Sequence, residues 1–212
     1  MKTLAKQRQQ GYTMVEMVIV IAIFLILSTF AVMAITSALN HSHANSAVAT
    51  LVTQLRQARE LAITKRRNVT VTLSGTNSIQ VAVQTLPGEA AATIYSAVQM
   101  NDGDASGLGW VIPPSGVPDT PMGFGNGSAI NMTAANGGVV GSAIMFTTSG
   151  SLVGAGGSAN YYAIGNNDPV NLTIFIGDPK NSANTTELRA ITVMGSTGRV
   201  RAYAWDGAAW QE

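Results

Sequence analysis

Hydrophobic and polar positions divide the chain into one long helical stretch followed by short strands. From residue 14 to residue 35 the sequence is almost entirely apolar, with Glu16 as its one charged residue. No Gly or Pro interrupts residues 12–67, so a single long helix is predicted over that range. Its second half repeats apolar residues at the spacing of one helix face: Val48, Leu51, Val52, Leu55, Ala58 and Ala62.

Beyond residue 68 the pattern becomes that of β-strands. The segments 69–73 and 79–84 are rich in β-branched residues and flank the turn sequence SGTNS, so they predict a hairpin. Residues 101–160 hold 14 of the 22 glycines and no Lys or Arg, which predicts long loops or an insertion. Strands after a helix indicate an α+β fold, and further runs of this kind follow at 143–148, 171–177, 188–194 and 199–205.

Composition limits the function classes to which the chain can belong. With 212 residues it has room for one ordinary domain and an appendage. The formal net charge is +1 and only 11% of the residues are charged, so no global charge bias points to nucleic acid or acidic lipid. The absence of cysteine excludes a disulfide scaffold, cysteine catalysis and thiolate metal sites.

The apolar run near the amino terminus has the length of a membrane span. Its 22 residues (14–35) extend roughly 33 Å as a helix, enough to cross a bilayer core. Lys2, Lys6 and Arg8 precede it without an acid, which predicts a cytoplasmic leader. A secretory signal peptide is the first alternative, but the run is too long and no small-residue cleavage site closes it. A plain anchor is the second, but it would not favour a glutamate inside the run.

Glu16 is the informative residue of this run. A carboxylate inside a membrane helix costs on the order of 2–3 kcal/mol, so it needs a cationic partner. The nearest upstream base is Arg8, and the run itself contains none. If the chain were cut after Gly11, however, Tyr12 would carry a new α-ammonium group one helical turn from Glu16. That amine could come from the same chain or from a neighbouring one.

A basic leader, the hexapeptide Gly11-Tyr12-Thr13-Met14-Val15-Glu16 and an apolar run follow one another here. This order resembles the class III signal of type IV prepilins and type II secretion pseudopilins. The resemblance implies that a prepilin peptidase cuts between Gly11 and Tyr12, removing residues 1–11. It also implies N-methylation of Tyr12, where the family usually has Phe, and an assembly role for Glu16 through a neighbour's amino terminus.

The carboxyl-terminal part narrows the resemblance. The segments FTTSGSLVG (146–154) and ITVMGSTGRVRAYAW (191–205) resemble GspH/FimT-type minor pilin domains. This implies a long helix, membrane-spanning at about 14–35, packed on an antiparallel β-sheet domain formed by residues 68–212. It further implies a single-pass inner-membrane protein with its β domain in the periplasm, incorporated into a pseudopilus.

The stretch 199–205 interleaves basic and aromatic residues. If it is a strand, Arg199, Arg201, Tyr203 and Trp205 share one face, which suits single-stranded nucleic acid through phosphate charge and base stacking. In some FimT-type pilins a G-R-x-R element, matched here by residues 198–201, is associated with DNA. A plain sheet surface or a subunit contact is the alternative. Removing the leader removes 3 of 12 basic residues and leaves 9 against 11 acids, a side-chain charge of −2.

Other motifs favour structural interpretations. Lys65-Arg66-Arg67 suits the dipole of a helix carboxyl terminus, unless the fold brings it near Arg199. The stretch DGDASG (102–107) opens like a calcium loop, but Pro113 stands where a bidentate Glu is required, so a polar turn is predicted. His41 and His43 lie on different helix faces, and no catalytic or phosphate-binding motif is present. We therefore expect no enzymatic activity, metal or cofactor.

The sequence thus predicts a filament subunit. The favoured role is an H-type minor pseudopilin that helps to assemble the tip of the type II secretion pseudopilus for protein export. Its expected partners are other pilin or pseudopilin subunits, the prepilin peptidase, the inner-membrane assembly platform and inner-membrane lipid. The alternatives are a FimT/FimU-like minor pilin of a type IV pilus, which binds DNA for uptake, and an anchored periplasmic binding module that never polymerises.

Overall fold

One long helix and eleven short strands make up the part of the chain that the structure describes. The structure is a computed structural model of residues 11–84, 93–100, 107–134, 143–154 and 168–212, without the side chains of residues 31–34, 36 and 37. The chain forms two compact units, Met1–Leu39 and Asn40–Glu212, and the helix contributes to both.

The helix α1 covers Met14–Lys65, in agreement with the predicted range of 12–67. The strands follow it in chain order: β1 (Val69–Ser74), β2 (Ser78–Val83), β3 (Thr93–Gln99), β4 (Gly109–Trp110), β5 (Ile130–Ala134), β6 (Ala143–Phe146), β7 (Leu152–Gly154), β8 (Val170–Gly177), β9 (Arg189–Met194), β10 (Arg199–Trp205) and β11 (Trp210–Gln211).

These strands build two antiparallel sheets. Sheet A has the order β3-β2-β1-β6-β7, and sheet B has the order β11-β10-β9-β8-β4, with β5 also paired to β8. β1 and β2 form the predicted hairpin, with Val69 opposite Val83. The other predicted strands are present as β6, β8, β9 and β10. The predicted α+β class, a long helix with an antiparallel sheet domain, is therefore confirmed.

The glycine-rich region 101–160 holds both loop and strand. A long loop without strands covers residues 111–129, as expected, but β4, β5 and β7 were not predicted, and neither were β3 and β11 outside this region. The short sequences of β5 and β7 carry little strand signal, and these strands gain their pairing from β8 and β6. Residues 102–106 of the DGDASG stretch lie outside the described residues.

The helix begins with a polar cap. The Thr13 hydroxyl accepts a hydrogen bond from the backbone N–H of Glu16 at 3.2 Å, and the Thr13 carbonyl accepts one from the N–H of Met17. Thr13 is therefore the N-cap and Glu16 the third helical residue, the T-x-x-E arrangement of a capping box. A carboxylate in the first turn also interacts favourably with the positive end of the helix dipole.

The helix ends in a left-handed turn. Arg66 has a φ of 52°, the N–H of Arg67 donates to the carbonyl of Ala62, and the N–H of Arg66 donates to that of Ile63. These two bonds define a Schellman motif, in which the left-handed position is usually glycine. The chain can then reverse directly into β1.

The second half of α1 is built into the core of the second unit. Leu51, Leu55, Ala58 and Ala62 are fully buried, which confirms the predicted apolar stripe, and Val48 is half-buried. They pack with residues of both sheets, among them Val71, Ile79, Ile144, Phe146, Leu172, Ile174, Ile191 and Val193. Each leucine buried in this way contributes about 1.5–3 kcal/mol. This part of the helix is therefore a structural member of the β domain.

Sheet B also buries its other face. A second apolar cluster lies there, formed by Val111, Val117, Phe175, Leu188, Ala190, Tyr203 and Trp205. The ring of Trp210 closes it, with its centroid 5.2 Å from that of Trp205 and its indole N–H donating to the carbonyl of Pro118. The loop of residues 111–129 thus covers the outer face of the sheet.

The first half of α1 has a different surface. Large apolar side chains are exposed along it, from 41% for Val20 to 88% for Met14. Among the residues described, no helix reaches both the length and the apolar character needed to cross a membrane. The span predicted at about 14–35 is therefore not confirmed and stays a prediction.

Candidate functional site

Gly11 and Tyr12 lie just before the helix cap. A side chain added at Gly11 would meet no atom within 4 Å, and its backbone is not in the left-handed region. Nothing in the described fold therefore requires glycine at this position. Tyr12 is 77% exposed, so the Gly11–Tyr12 bond is open to an enzyme. The structure leaves the predicted cleavage and methylation as predictions.

Glu16 is exposed on the first turn of the helix. Its neighbours along the surface are apolar and also exposed, among them Met14, Val15, Met17, Val18, Ile19 and Val20. An apolar surface of this extent on a single helix marks an interaction site for lipid or for other helices. The carboxylate therefore stands at one end of an apolar face, where a partner that covers the face would also meet the charge.

A second candidate site involves strand β10. Alternation along the strand holds as predicted, because Val200 and Ala202 face the helix-side core while Tyr203 and Trp205 belong to the opposite cluster. The two rings are only 3% and 8% exposed, respectively. They therefore offer no platform for base stacking, which corrects the expectation of a joint arginine–aromatic surface.

The two arginines of β10 instead line a cleft between the strand and α1. The cleft has a volume of about 660 Å³. Its charged lining consists of Arg56, Arg59, Arg199, Arg201, Glu60 and Glu212, and its remaining lining of Met194, Thr197, Gly198 and Val200. Four guanidinium groups against two carboxylates give the cleft a positive balance.

Arg59 is held in place by two glycine turns. Its Nε donates to the carbonyl of Gly150 at 3.2 Å. At Gly198, where φ is +64°, an added Cβ would lie 2.2 Å from the Gly150 oxygen and 2.7 Å from the Arg59 Nε. Gly198 is therefore required by close packing as well as by its left-handed backbone. The glycine of the G-R-x-R element thus has a structural reason, which is to bring β10 close to α1.

Glu212 already occupies part of the cleft. Its Oε2 accepts a hydrogen bond from Nη1 of Arg201 at 3.1 Å. The guanidinium of Arg201 is charged at all ordinary pH values, and the nearby Tyr203 hydroxyl and then the Glu212 carboxylate raise its pKa further. The short strand β11, which pairs with β10 at Ala204 and Trp205, carries Glu212 to this place.

The turn before β11 depends on Asp206. Its carboxylate accepts hydrogen bonds from the backbone N–H groups of Ala208 and Ala209, at 2.8 and 2.7 Å, and from the side chain of Gln211. These bonds lower the pKa of Asp206, the bond from Ala209 most of all. An ionised Asp206 therefore fixes the turn that leads to Glu212.

Lys65-Arg66-Arg67 is not part of the cleft lining. Its position at the end of α1 agrees with the predicted structural role. Arg56, Arg59 and Glu60 were overlooked as site residues, although their i, i+3, i+4 spacing placed them on one helix face. Only the fold brings that face next to β10, because the two segments lie about 140 residues apart in the sequence.

The buried Arg189 of β9 makes polar contacts with two exposed side chains of α1. It is 5% exposed, and its Nε donates to Oδ1 of Asn45 at 3.1 Å, while Nη2 lies 3.3 Å from Nδ1 of His41. Burial lowers the pKa of Arg189, and the nearby Glu187 opposes that shift. These polar contacts join α1 to sheet B. Within the described residues, no group of three His, Cys, Asp or Glu side chains is placed to hold a metal.

One family model matches the amino-terminal part of the chain. Residues 6–32 match the model of the prokaryotic N-terminal methylation motif. No curated protein matches the chain. The type IV minor pilin FimU of Pseudomonas aeruginosa aligns with a TM-score of 0.43 at 13% identity, over 81% of this chain and 94% of FimU.

The minor pseudopilin EpsH of the Vibrio cholerae type 2 secretion system aligns with a TM-score of 0.44 at 11% identity. That alignment covers 76% of this chain and 97% of EpsH. At these TM-scores the likeness to FimU and EpsH supports no assignment of function. The motif match is independent of them, and it shows that residues 6–32 carry a prokaryotic N-terminal methylation motif.

Proposed function

We propose that the chain is a subunit of a prepilin-processed filament and acts as an H-type minor pseudopilin in type II secretion. The methylation motif at residues 6–32 carries this proposal. Two features of the described residues support it. Gly11 stands where no packing or backbone demand explains a glycine, and a long exposed apolar surface follows it.

The mechanism follows from that surface. Before assembly, residues 14–35 hold the chain in the inner membrane with the β domain in the periplasm. On assembly, the exposed apolar side chains of α1 become buried against the helices of neighbouring subunits. The Glu16 carboxylate then meets the methylated amine of a neighbour in a medium of low dielectric constant, where such a pair sets the register. The β domain offers the surfaces that select the neighbouring subunit.

A FimT/FimU-like role in DNA uptake is the second candidate. The observation that favours it is the set of four arginines around one cleft. Against it stand the two carboxylates of the same cleft and the burial of Tyr203 and Trp205. Deleting the gene separates the two roles: we expect loss of protein secretion with DNA uptake intact. The reverse result would favour the FimT-like role.

Processing of the amino terminus tests the proposal directly. Mass analysis of the membrane-bound chain, expressed with a prepilin peptidase, should show a protein that starts at N-methylated Tyr12. Gly11→Val should block processing, because a β-branched side chain then stands at the cut. Gly127→Val is the matched control, since Gly127 also lies in open surroundings with an unstrained backbone. A wild-type chain that retains Met1 would contradict the proposal.

A further inference from the structure

The cleft beside β10 includes an open strand edge. β11 pairs with β10 only at Ala204 and Trp205. The N–H of Trp205 donates to the carbonyl of Leu188 on the β9 side. Because hydrogen bonds alternate in an antiparallel pair, the backbone groups of Val200 and Ala202 point away from β9. Among the residues described, no strand pairs with this side of β10 at Val200 and Ala202.

Charged side chains flank this edge. Arg199 and Arg201 lie on the strand itself, and Arg56 and Arg59 lie on the facing helix. Lysines and arginines on an exposed edge normally prevent pairing with uncharged strands of other proteins. The same charges favour a strand that carries carboxylates, so they select a partner rather than exclude every partner.

The chain itself shows which group the cleft accepts. Glu212 directly follows β11, which is an extended segment antiparallel to β10, and its carboxylate is bound by Arg201 at 3.1 Å. That glutamate side chain remains 56% exposed, so it is held at the mouth of the cleft. Arg56, Arg59 and Arg199 line the rest of the cleft.

We propose that this cleft binds an extended acidic segment of another filament subunit, which adds as a strand along the free edge of β10. The backbone of the segment pairs with Val200 and Ala202, and its carboxylates bind Arg199 and Arg201, which share one face of β10. Glu212 competes with the segment for Arg201. The identity of the partner as a filament subunit rests on the proposed function; the acidic strand site itself does not.

The geometry favours a peptide over nucleic acid. The rings of Tyr203 and Trp205 are buried, so they provide no surface on which the bases of a nucleic acid could stack. A single strand with carboxylates on alternate residues, by contrast, matches the alternation of Arg199 and Arg201 along one face.

Peptide titration of the full chain in neutral detergent tests the proposal. The probe is a labelled ten-residue peptide of alternating Thr and Glu, and its counterpart has Gln in place of every Glu. We expect the acidic peptide to bind at least about tenfold more tightly than the Gln peptide, since charge-assisted bonds are about twice as strong as neutral ones. N-methylation of alternate backbone amides in the acidic peptide should weaken binding by a similar factor, because it removes strand pairing.

Charge variants locate the site. Arg199→Gln/Arg201→Gln should abolish the preference for the acidic peptide, while Lys65→Gln/Lys180→Gln removes two exposed charges outside the cleft and should leave it unchanged. Glu212→Gln should tighten binding several-fold by removing the competitor. Circular dichroism checks that each variant is folded.

Three results would overturn the proposal. One is equal binding of the Glu and Gln peptides. Another is no effect of backbone methylation. The third is tight, salt-sensitive binding of a 12-nucleotide single-stranded DNA that is lost in Arg199→Gln/Arg201→Gln while the peptide fails to bind. None of these results depends on cleavage at Gly11, so the proposed function fails or stands separately.

Discussion

At the scale of single residues, Glu16 has two roles that substitutions can separate. It is the third residue of a capped helix and the only charge in the apolar run. Glutamine is accepted at the third position of a capping box but carries no charge. We therefore expect Glu16→Gln to keep insertion and processing while reducing incorporation into filaments about tenfold. The ratio of subunit in sheared filaments to subunit in membranes measures this.

Thr13→Ala is the matched control for that experiment. It removes the hydroxyl that accepts the Glu16 N–H and weakens the helix start by about 1 kcal/mol, but it leaves the carboxylate in place. Incorporation should then stay near the wild-type level. Impaired incorporation of Thr13→Ala together with normal incorporation of Glu16→Gln would show that capping, rather than charge, explains the glutamate.

At the scale of elements, the end of α1 carries a strain that one substitution relieves. Arg66 adopts a φ of 52°, and a residue with a Cβ pays about 1–2 kcal/mol for a left-handed conformation. Glycine removes this cost but gains freedom in the unfolded chain. We therefore expect Arg66→Gly to raise the free energy of unfolding of the β domain by about 0.5–1 kcal/mol. Urea denaturation in detergent, followed by circular dichroism, measures it.

The neighbouring residue provides the control for Arg66→Gly. Lys65 is the last helical residue, so Lys65→Gly places glycine inside the helix and should lower the free energy of unfolding by up to about 1 kcal/mol. Both variants remove one exposed positive charge. A change of the same sign in the two variants would therefore refute the strain argument.

Elements with a strong local pattern were predictable, and those that depend on neighbours were not. The helix and strands β1, β2, β6, β8, β9 and β10 follow from apolar periodicity and β-branched runs. β5 was missed because it pairs with β8 about 40 residues further along the chain, and β4, β7 and β11 were missed because they have only two or three residues each; β3 was missed as well. The burial of Trp205 was missed for a similar reason: the covering loop of residues 111–129 has no pattern that reveals where it packs.

The two candidate sites also differ in how far they could be recognised from the sequence. The amino-terminal site is continuous in sequence, so Gly11, Tyr12 and Glu16 could be recognised directly. The cleft is formed by α1, by the hairpin of β9 and β10, and by Glu212. Of its residues, only Arg199 and Arg201 were identified from the sequence. Arg59 depends on Gly150 and Gly198, two glycines distant in sequence that approach it closely in space.

At the scale of the whole molecule, the two units use apolar side chains for opposite purposes. In the second unit Leu55 is fully buried, whereas in the first unit Leu27 is 59% exposed. Truncating a buried leucine leaves a cavity and costs about 2–5 kcal/mol, while truncating an exposed one costs little in the isolated subunit. If the exposed surface serves assembly, truncating Leu27 should impair assembly more than truncating Leu55 does, which is the reverse of their effects on stability.

We therefore expect Leu55→Ala to lower the free energy of unfolding of the β domain by about 2–5 kcal/mol, because Leu55 packs among residues of the main core. Leu27→Ala should leave unfolding unchanged and reduce the filament-to-membrane ratio, since its side chain is then missing from the surface that neighbouring helices cover. Urea unfolding and sheared-filament yield, measured on the same two variants, give both comparisons. Normal filament yield for Leu27→Ala would show that this exposed side chain does not contribute to assembly. Unchanged unfolding for Leu55→Ala would contradict the packing of α1 into the domain.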